Sequence, residues 1–440
     1  MRAARQGAAL LSAAVGVPLG LALLAVRPAH RERLGERLGG LPRLDPGATW
    51  VHAASVGEVL AASRLVAELE RRGERVLASA TTATGRATLE RLGIGAARTL
   101  LPVDHPWCVD RALGRARPGR LALVETELWP FLIGGARDRG IPVAVVSARI
   151  SDRALPRYRR LRTALAGTLG ALARVGARTD EDAARFVSLG VPEQRVSITG
   201  DLKLEPPPAP VPPPADLVAS FAGRPLLVAG STHPGEEQVV LSAFEQVLAG
   251  LSEAGWRKDR LPALLLAPRH PERADAVERM VSGRGRAAHR RSRLPAGRVR
   301  GGEVVVLDTV GELAVVYALA ASTFVGGSLV PVGGHNVLEP VFAGRPVAFG
   351  PHTGSVGAGL ALLLETGAGR RVHGPGDLAG VLLGDLLAPA EAAAAVARAR
   401  DLLAAHRGAA VRNAELLLAL PRAPSRRPAR GRPGAGAGGG

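Results

Sequence analysis

The stretch 308–351, DTVGELAVVYALAASTFVGGSLVPVGGHNVLEPVFAGRPVAFGP, decides how the chain is read. It runs as a turn, a helix, a short apolar strand over 323–325, two glycine pairs, a second helix and another strand. Gly326 and Gly327, then Gly333 and Gly334, fall where a strand hands over to a helix. Backbone without side chains at such a place lets an anion approach peptide N–H groups and the positive end of a helix dipole. Ser328, His335, Asn336 and Glu339 follow closely. The segment is a ligand site in outline, suited to a phosphorylated donor.

Working outward, the same grammar fills both halves of the chain. Apolar strands are expected at 226–229, 263–267, 304–307, 323–325 and 347–349, with helices at 236–248 and 272–282 and closing helices over 390–418. The first half offers strands at 50–54, 76–81, 99–102, 121–124, 143–147 and 171–176. Its first helix, 57–72, carries Val59, Ala62, Val66 and Leu69 at helical spacing. Strands separated by helices imply parallel, doubly wound sheets. A chain of 440 residues exceeds one ordinary core. The expectation is therefore α/β, with two Rossmann-like domains, 49–205 and 216–420, whose strand-end loops face a cleft. PPPAPVPPP lies in the stiff linker, 206–215, between them. The tail, 421–440, has no apolar periodicity and reads as disordered.

Bulk composition narrows the partners. A net charge of +18 suggests an anionic one, yet 55 of the 57 basic residues are Arg, a compositional bias that weakens the inference. Aromatics at 3% speak against base stacking on single-stranded nucleic acid, and no nucleic-acid partner is expected. The single cysteine, Cys108, excludes an intrachain disulfide and a multi-cysteine zinc site. Segment 7–26, GAALLSAAVGVPLGLALLAV, is uncharged over about the ~20 residues a spanning helix needs. Arg27, Arg31, Arg33 and Arg37 after it favour a cytoplasmic downstream side. An uncleaved anchor with its basic flank, residues 1–48, is preferred over a cleaved signal peptide or an interfacial helix.

Four loops follow strands and carry chemistry. The first is HAASVGE, 52–58, with Glu58 placed to take a proton from an attacking hydroxyl. Ser55-x-x-Glu58 is equally a capping box, and the spacing recurs at Thr309 and Glu312 and at Asn336 and Glu339. Against pure capping, Gly57 and Gly311 sit in the first turn, where Gly costs up to about 1 kcal/mol. The second loop is ETELWP, 125–130, whose carboxylates Glu125 and Glu127 at a strand end are costly unless solvated, paired or used. It reads alternatively as a helix start at Pro130. The third is STHPGEE, 231–237, where Ser231, Thr232 and His233 suit an anion. The fourth is PRHPER, 268–273, where Arg269 supplies a fork for phosphate. Lys203, in TGDLK, is one of only two lysines and hints at a need for a compact ammonium. No His/Asp cluster with metal-ligand spacing is visible, so no metal site is expected.

HAASVGE, ETELWP, SARIS at 147–151, TGDLK, STHPGEE, PRHPER, DTVGEL and FVGGSLVPVGGHNVLEP, in this order, resemble the 3-deoxy-D-manno-octulosonic acid (Kdo) transferases of lipopolysaccharide synthesis. The resemblance implies a GT-B fold and metal-independent, inverting transfer of Kdo from CMP-Kdo to the lipid A precursor. It places the enzyme at the membrane surface, on the cytoplasmic side of the cell inner membrane, with no cofactor beyond the donor. By position, Glu58 resembles the general base, and Glu125 or Glu127 with Lys203 resemble groups supporting the transition state. Pro268, Arg269, Val310, Gly311, Glu312, Asn336, Val337, Leu338 and Glu339 resemble the CMP-binding segments. Ser231, Thr232, His233, Gly326, Gly327, Ser328, Gly334 and His335 would stand near the phosphate and sugar. Val337 replaces the usual proline, and the sequence after His352 departs from the pattern. The residues alone leave open another GT-B enzyme using a UDP-sugar.

Overall fold

The computed structural model describes residues 33–207, 212–221, 223–294, 299–354 and 359–424. The expected anchor at 7–26 lies outside them, as do 208–211 of the linker and 425–440 of the tail. The chain divides into two compact units. One holds the residues up to Leu202 and again from Gly408; the other runs Lys203–Arg407.

The first unit is built on β1 (Thr49–His52), β2 (Val76–Ala80), β3 (Ala97–Leu100), β4 (Arg120–Val124), β5 (Val143–Ala148), β6 (Leu172–Ala177) and β7 (Val196–Ile198). All pair in parallel, in the order β3-β2-β1-β4-β5-β6-β7. A strand buried on both faces reads as a near-continuous apolar run, and residues 121–124 of β4 do so after the buried Arg120. Leu121 and Leu123 enter the cluster with Trp50, Leu113 and Phe186. Ala122 and Val124 enter the opposite cluster with Val59, Leu65 and Leu69 of helix Val56–Arg71. Each such side chain contributes roughly 1.5–3 kcal/mol.

The second unit holds β8 (Leu226–Thr232), β9 (Ala263–Pro268), β10 (Ala288–Arg290), β11 (Val304–Val306), β12 (Ser322–Val325), β13 (Val347–Phe349) and β14 (Gly369–Arg371). These are again parallel, ordered β10-β11-β9-β8-β12-β13-β14. In both sheets the order reverses beside the first strand, between β1 and β4 and between β8 and β12. Ligand crevices open at such points, outside the carboxyl ends of the strands.

Three strands escaped the sequence reading. β10 (AHR) and β14 (GRR) are three-residue sheet edges without an apolar pattern, and β7 (VSI) is largely solvent-facing. The domain boundary also moves. The sequence placed 390–418 in the second domain, but only helix Pro389–Ala404 stays there; helix Ala409–Leu418 returns to the first unit. Ala410, Ala414 and Leu417 join the first unit's core. Buried Asn413 accepts from Ser147 N at 3.2 Å and from the Thr199 hydroxyl at 2.9 Å through its Oδ1. Arg120 donates to the carbonyls of Leu418 and Leu420. The first unit thus begins at the opposite boundary from its last helix, a closure that local patterning does not encode. Among the described residues, no single helix is long and apolar enough to cross a membrane.

Candidate active site

In the first unit, β1 and β4 deliver their loops side by side. Helix Val56–Arg71 starts after Ser55, whose extended backbone makes it the N-cap, although its hydroxyl makes no cap bond to the helix. Instead Ser55 Oγ donates to Glu58 Oε1 at 3.1 Å, and Ala54 N donates to Glu58 Oε2 at 2.7 Å. The two bonds fix the orientation of the carboxylate. A Cβ on Gly57 would meet nothing within 4 Å, so no packing in the chain requires glycine there.

After β4, helix Pro130–Arg137 opens with proline in its first turn, as the helix-start reading of ETELWP expects. The two glutamates lie ahead of that helix, and capping does not employ them. Glu125 holds a left-handed backbone, φ 62°, which costs a non-glycine residue about 1 kcal/mol or more, and its carboxylate stands 4.0 Å from the Arg149 guanidinium. Glu127 Oε2 accepts from Trp129 Nε1 at 2.9 Å and lies 3.7 Å from His52 Nε2. Glu58, Glu125 and Glu127 therefore all belong to the switch point of this sheet. Lys203 sits in the turn at the start of the second unit, half-buried.

In the second unit, β8, β9 and β12 end together around three histidines. His233 and His335 stack with ring centroids 5.1 Å apart and Nε2 atoms 2.8 Å apart. His270 meets His233 edge-on at 6.0 Å, and Arg269 beside it is exposed. Loss of hydration, helped by the His233, Arg269 and His270 charges, holds His335 down to about 4. Burial also lowers His233, opposed by Glu236. The pair is thus neutral in ordinary buffer, one ring donating and the other accepting. Arg269 N donates to Thr232 O at 2.9 Å, tying the β9 loop to β8.

The glycine-rich loop corrects the opening expectation. Gly327 N and His233 N donate to Glu236 Oε2 at 2.7 and 2.9 Å; Ser328 N and Leu329 N donate to Oε1 at 3.0 and 2.8 Å. The anion held by these amides is the chain's own fully buried Glu236, so they do not receive a phosphate. Gly326 is glycine for this reason: a Cβ would lie 2.7 Å from Glu236 Oε2 and 2.6 Å from Ser231 O. Gly334 N and His335 N donate back to the carbonyls of Gly327 and Gly326, closing the loop and setting His335 over Gly327. Thr232 and the Arg273 guanidinium engage the neighbouring buried Glu237.

Segments 309–312 and 336–339 show a repeated device. Thr309 Oγ1 donates to Glu312, which precedes helix Leu313–Tyr317 and also accepts from Arg291 Nη2 at 2.9 Å. Asn336 Nδ2 donates to Glu339 Oε1 at 3.1 Å while its Oδ1 takes Leu338 N at 3.1 Å, opening helix Leu338–Phe342. Val310 is 86% exposed, and Gly311 has φ 91° with open space around it. Val337 and Leu338 are buried in the core, so they seat the loop rather than face solvent.

Two carboxylate-rich loops thus end one sheet, and Arg269 with a neutral histidine pair ends the other. Residues 32–205 match the family described as 3-deoxy-D-manno-octulosonic-acid transferase (kdotransferase). The 3-deoxy-D-manno-octulosonic acid transferase of Bordetella pertussis is 37% identical over 89% of this chain and 90% of its own. The chain belongs to the Kdo transferase family. The Haemophilus influenzae transferase is 32% identical over 81% of this chain and 84% of its own. The C-terminal CMP-Kdo binding domain of WaaA from Acinetobacter baumannii, a crystal structure, is 30% identical, covering 43% of this chain and 95% of that one, with a TM-score of 0.38.

Some residues that shape these networks were given no role by the motif reading. His52 and Trp129 stood inside quoted motifs; Trp129 is a near neighbour of Glu127 in ETELWP, whereas the approach of His52 to Glu127 depends on strand order. Glu236 stood inside STHPGEE with no role assigned to it. Arg291, which holds both Glu312 and Asp216, lay in an Arg-rich run without distinguishing spacing.

Proposed function

We propose that the protein transfers Kdo from CMP-Kdo to the lipid A precursor (lipid IVA) in lipopolysaccharide synthesis, by a single inverting displacement that needs no metal. The observation that carries the reading is the location of Glu58, Glu125 and Glu127 at the switch point of one sheet, with the histidines and Arg269 at the switch point of the other. Glu58, oriented by Ala54 and Ser55, takes the proton of an acceptor hydroxyl. The oxygen bonds to the anomeric carbon of Kdo as the bond to CMP breaks, and the electron pair leaves on the phosphate. Charge there is met by Arg269 and by hydrogen-bond donation from the neutral His233–His335 pair, the role a metal fills in other transferases. Val310, Gly311, Glu312, Asn336 and Glu339 hold the nucleotide, and Lys203 with Glu125 or Glu127 supports the transition state. Two Rossmann-like units, each a parallel seven-stranded sheet, fit a GT-B enzyme. Residues 7–26 anchor it at the cytoplasmic face of the inner membrane, where the acceptor lies.

Purified protein with CMP-Kdo and tetraacylated lipid A precursor tests this. Turnover should survive EDTA, and Glu58→Ala should lose on the order of 10²- to 10⁴-fold in kcat with CMP affinity kept. Normal turnover by Glu58→Ala removes the base assignment. Calorimetric preference for UDP over CMP would favour a UDP-sugar enzyme instead.

A further inference from the structure

His52 ends β1 and is fully buried, with both ring nitrogens engaged. Nδ1 lies 2.9 Å from Ser79 Oγ, and Nε2 lies 3.2 Å from Thr81 Oγ1. Behind it, Trp50 Nε1 donates to the same Ser79 oxygen at 2.7 Å. Indole N–H only donates, so Ser79 accepts there, which leaves its own proton available to Nδ1. With Nδ1 accepting that proton, the imidazole carries its own on Nε2, the nitrogen 3.2 Å from Thr81 Oγ1 and 3.7 Å from Glu127 Oε2. The same carboxylate oxygen takes the N–H of Trp129, whose ring meets His52 edge-on with centroids 6.5 Å apart.

We propose that His52 is a positioning residue for Glu127, turned by the Trp50–Ser79 relay so that its Nε2–H faces that carboxylate. This rests on the reading of Glu127 as part of the reaction centre. Sheet packing alone gives no reason for the arrangement. A buried strand end is filled at lower cost by Leu or Val, whereas a buried histidine, serine and indole N–H must all be desolvated and then satisfied in series. What that series secures is a fixed ring tautomer and a fixed edge, presented to a carboxylate only 22% exposed. Trp129 then holds one oxygen of Glu127, with the His52 ring edge 3.7 Å from the same oxygen, and the other oxygen is left for substrate.

Two amide substitutions separate the ring's two edges. Asn at position 52 keeps a polar atom near Nδ1 and gives up Nε2; Gln reaches toward Nε2 and gives up Ser79. With CMP-Kdo and tetraacylated lipid A precursor, His52→Asn should lower kcat by on the order of tenfold or more, the usual scale for a lost outer partner. His52→Gln should stay within about threefold of the parent, and KM for CMP-Kdo should hold in both. In a Glu127→Gln background, His52→Asn should have no further effect, because the contact it serves is already altered. Equal losses in the two variants, or an undiminished loss in the Glu127→Gln background, overturns the proposal while leaving Glu127 in place. Full turnover by Glu127→Gln alone overturns the reading of Glu127, and the proposal with it. If His52→Asn does not fold, Ser79→Ala, which keeps the histidine and releases its tautomer, is judged by the same cycle: loss of kcat only when Glu127 is intact supports the proposal, and loss in both backgrounds overturns it.

Discussion

The Nε2 atoms of His233 and His335 lie 2.8 Å apart, close enough that the two rings share one hydrogen and cannot both carry a proton on the facing nitrogens. Burial is the main reason that His335 is held from 6.5 down to about 4. The unfolded chain therefore binds a proton near pH 6.5 that the folded chain refuses until about pH 4. Between those values the unfolded state carries more protons, so stability rises with pH across the window and falls as the solution is acidified. Urea midpoints measured from pH 4 to 7 should show this slope, and His335→Gln should flatten it. An unchanged slope in that variant would assign the titration elsewhere.

Glu236 joins residues 91 apart in the chain by accepting from four backbone N–H groups. Glu236→Ala leaves those buried donors without an acceptor, each at a cost of about 1–3 kcal/mol less whatever water recovers. The loss of stability should exceed about 3 kcal/mol by urea titration. CMP binding should fail at the same time, because His233 and His335 lose their common support.

Glu125 is held at φ 62°, where glycine sits without strain. Glu125→Gly should leave stability unchanged or raise it by up to about 1 kcal/mol, since relief of strain is partly offset by the freer unfolded chain. Turnover should drop in the same variant. A protein that becomes no less stable while losing activity marks strain retained for function. A clear loss of stability would show that the Arg149 ion pair and the other contacts of Glu125 are what hold the loop.

Asn413 lies on the last helix yet closes the first unit. Asn413→Ala strands Ser147 N and the Thr199 hydroxyl, and should cost roughly 2–4 kcal/mol. The first unit should bear that loss, and hydrogen exchange should rise in β5 and β6 while β8 and β12 keep their protection.

Much of the fold was legible because parallel strands buried on both faces must be continuous apolar runs, and those runs are visible at 121–124, 263–267 and 323–325. Edge strands such as AHR and GRR are not, since only one neighbour pairs with them and their side chains need not be apolar. The candidate carboxylates were legible for a different reason. Ser55, Thr309 and Asn336 each reach the glutamate three residues on, a helical-turn distance written directly into the chain.

By itself the sequence determined the alternation of strands and helices, the places where strands hand over to helices, and the motif order that assigns the family, because each depends on residues within a turn or two of one another. Only the tertiary structure decided that the glycine-loop amides serve Glu236, that the last helix belongs to the first unit, and that His52 stands behind Glu127. Those contacts join residues from 75 to 266 positions apart. Local propensity carries no information at that range; strand order and close packing do.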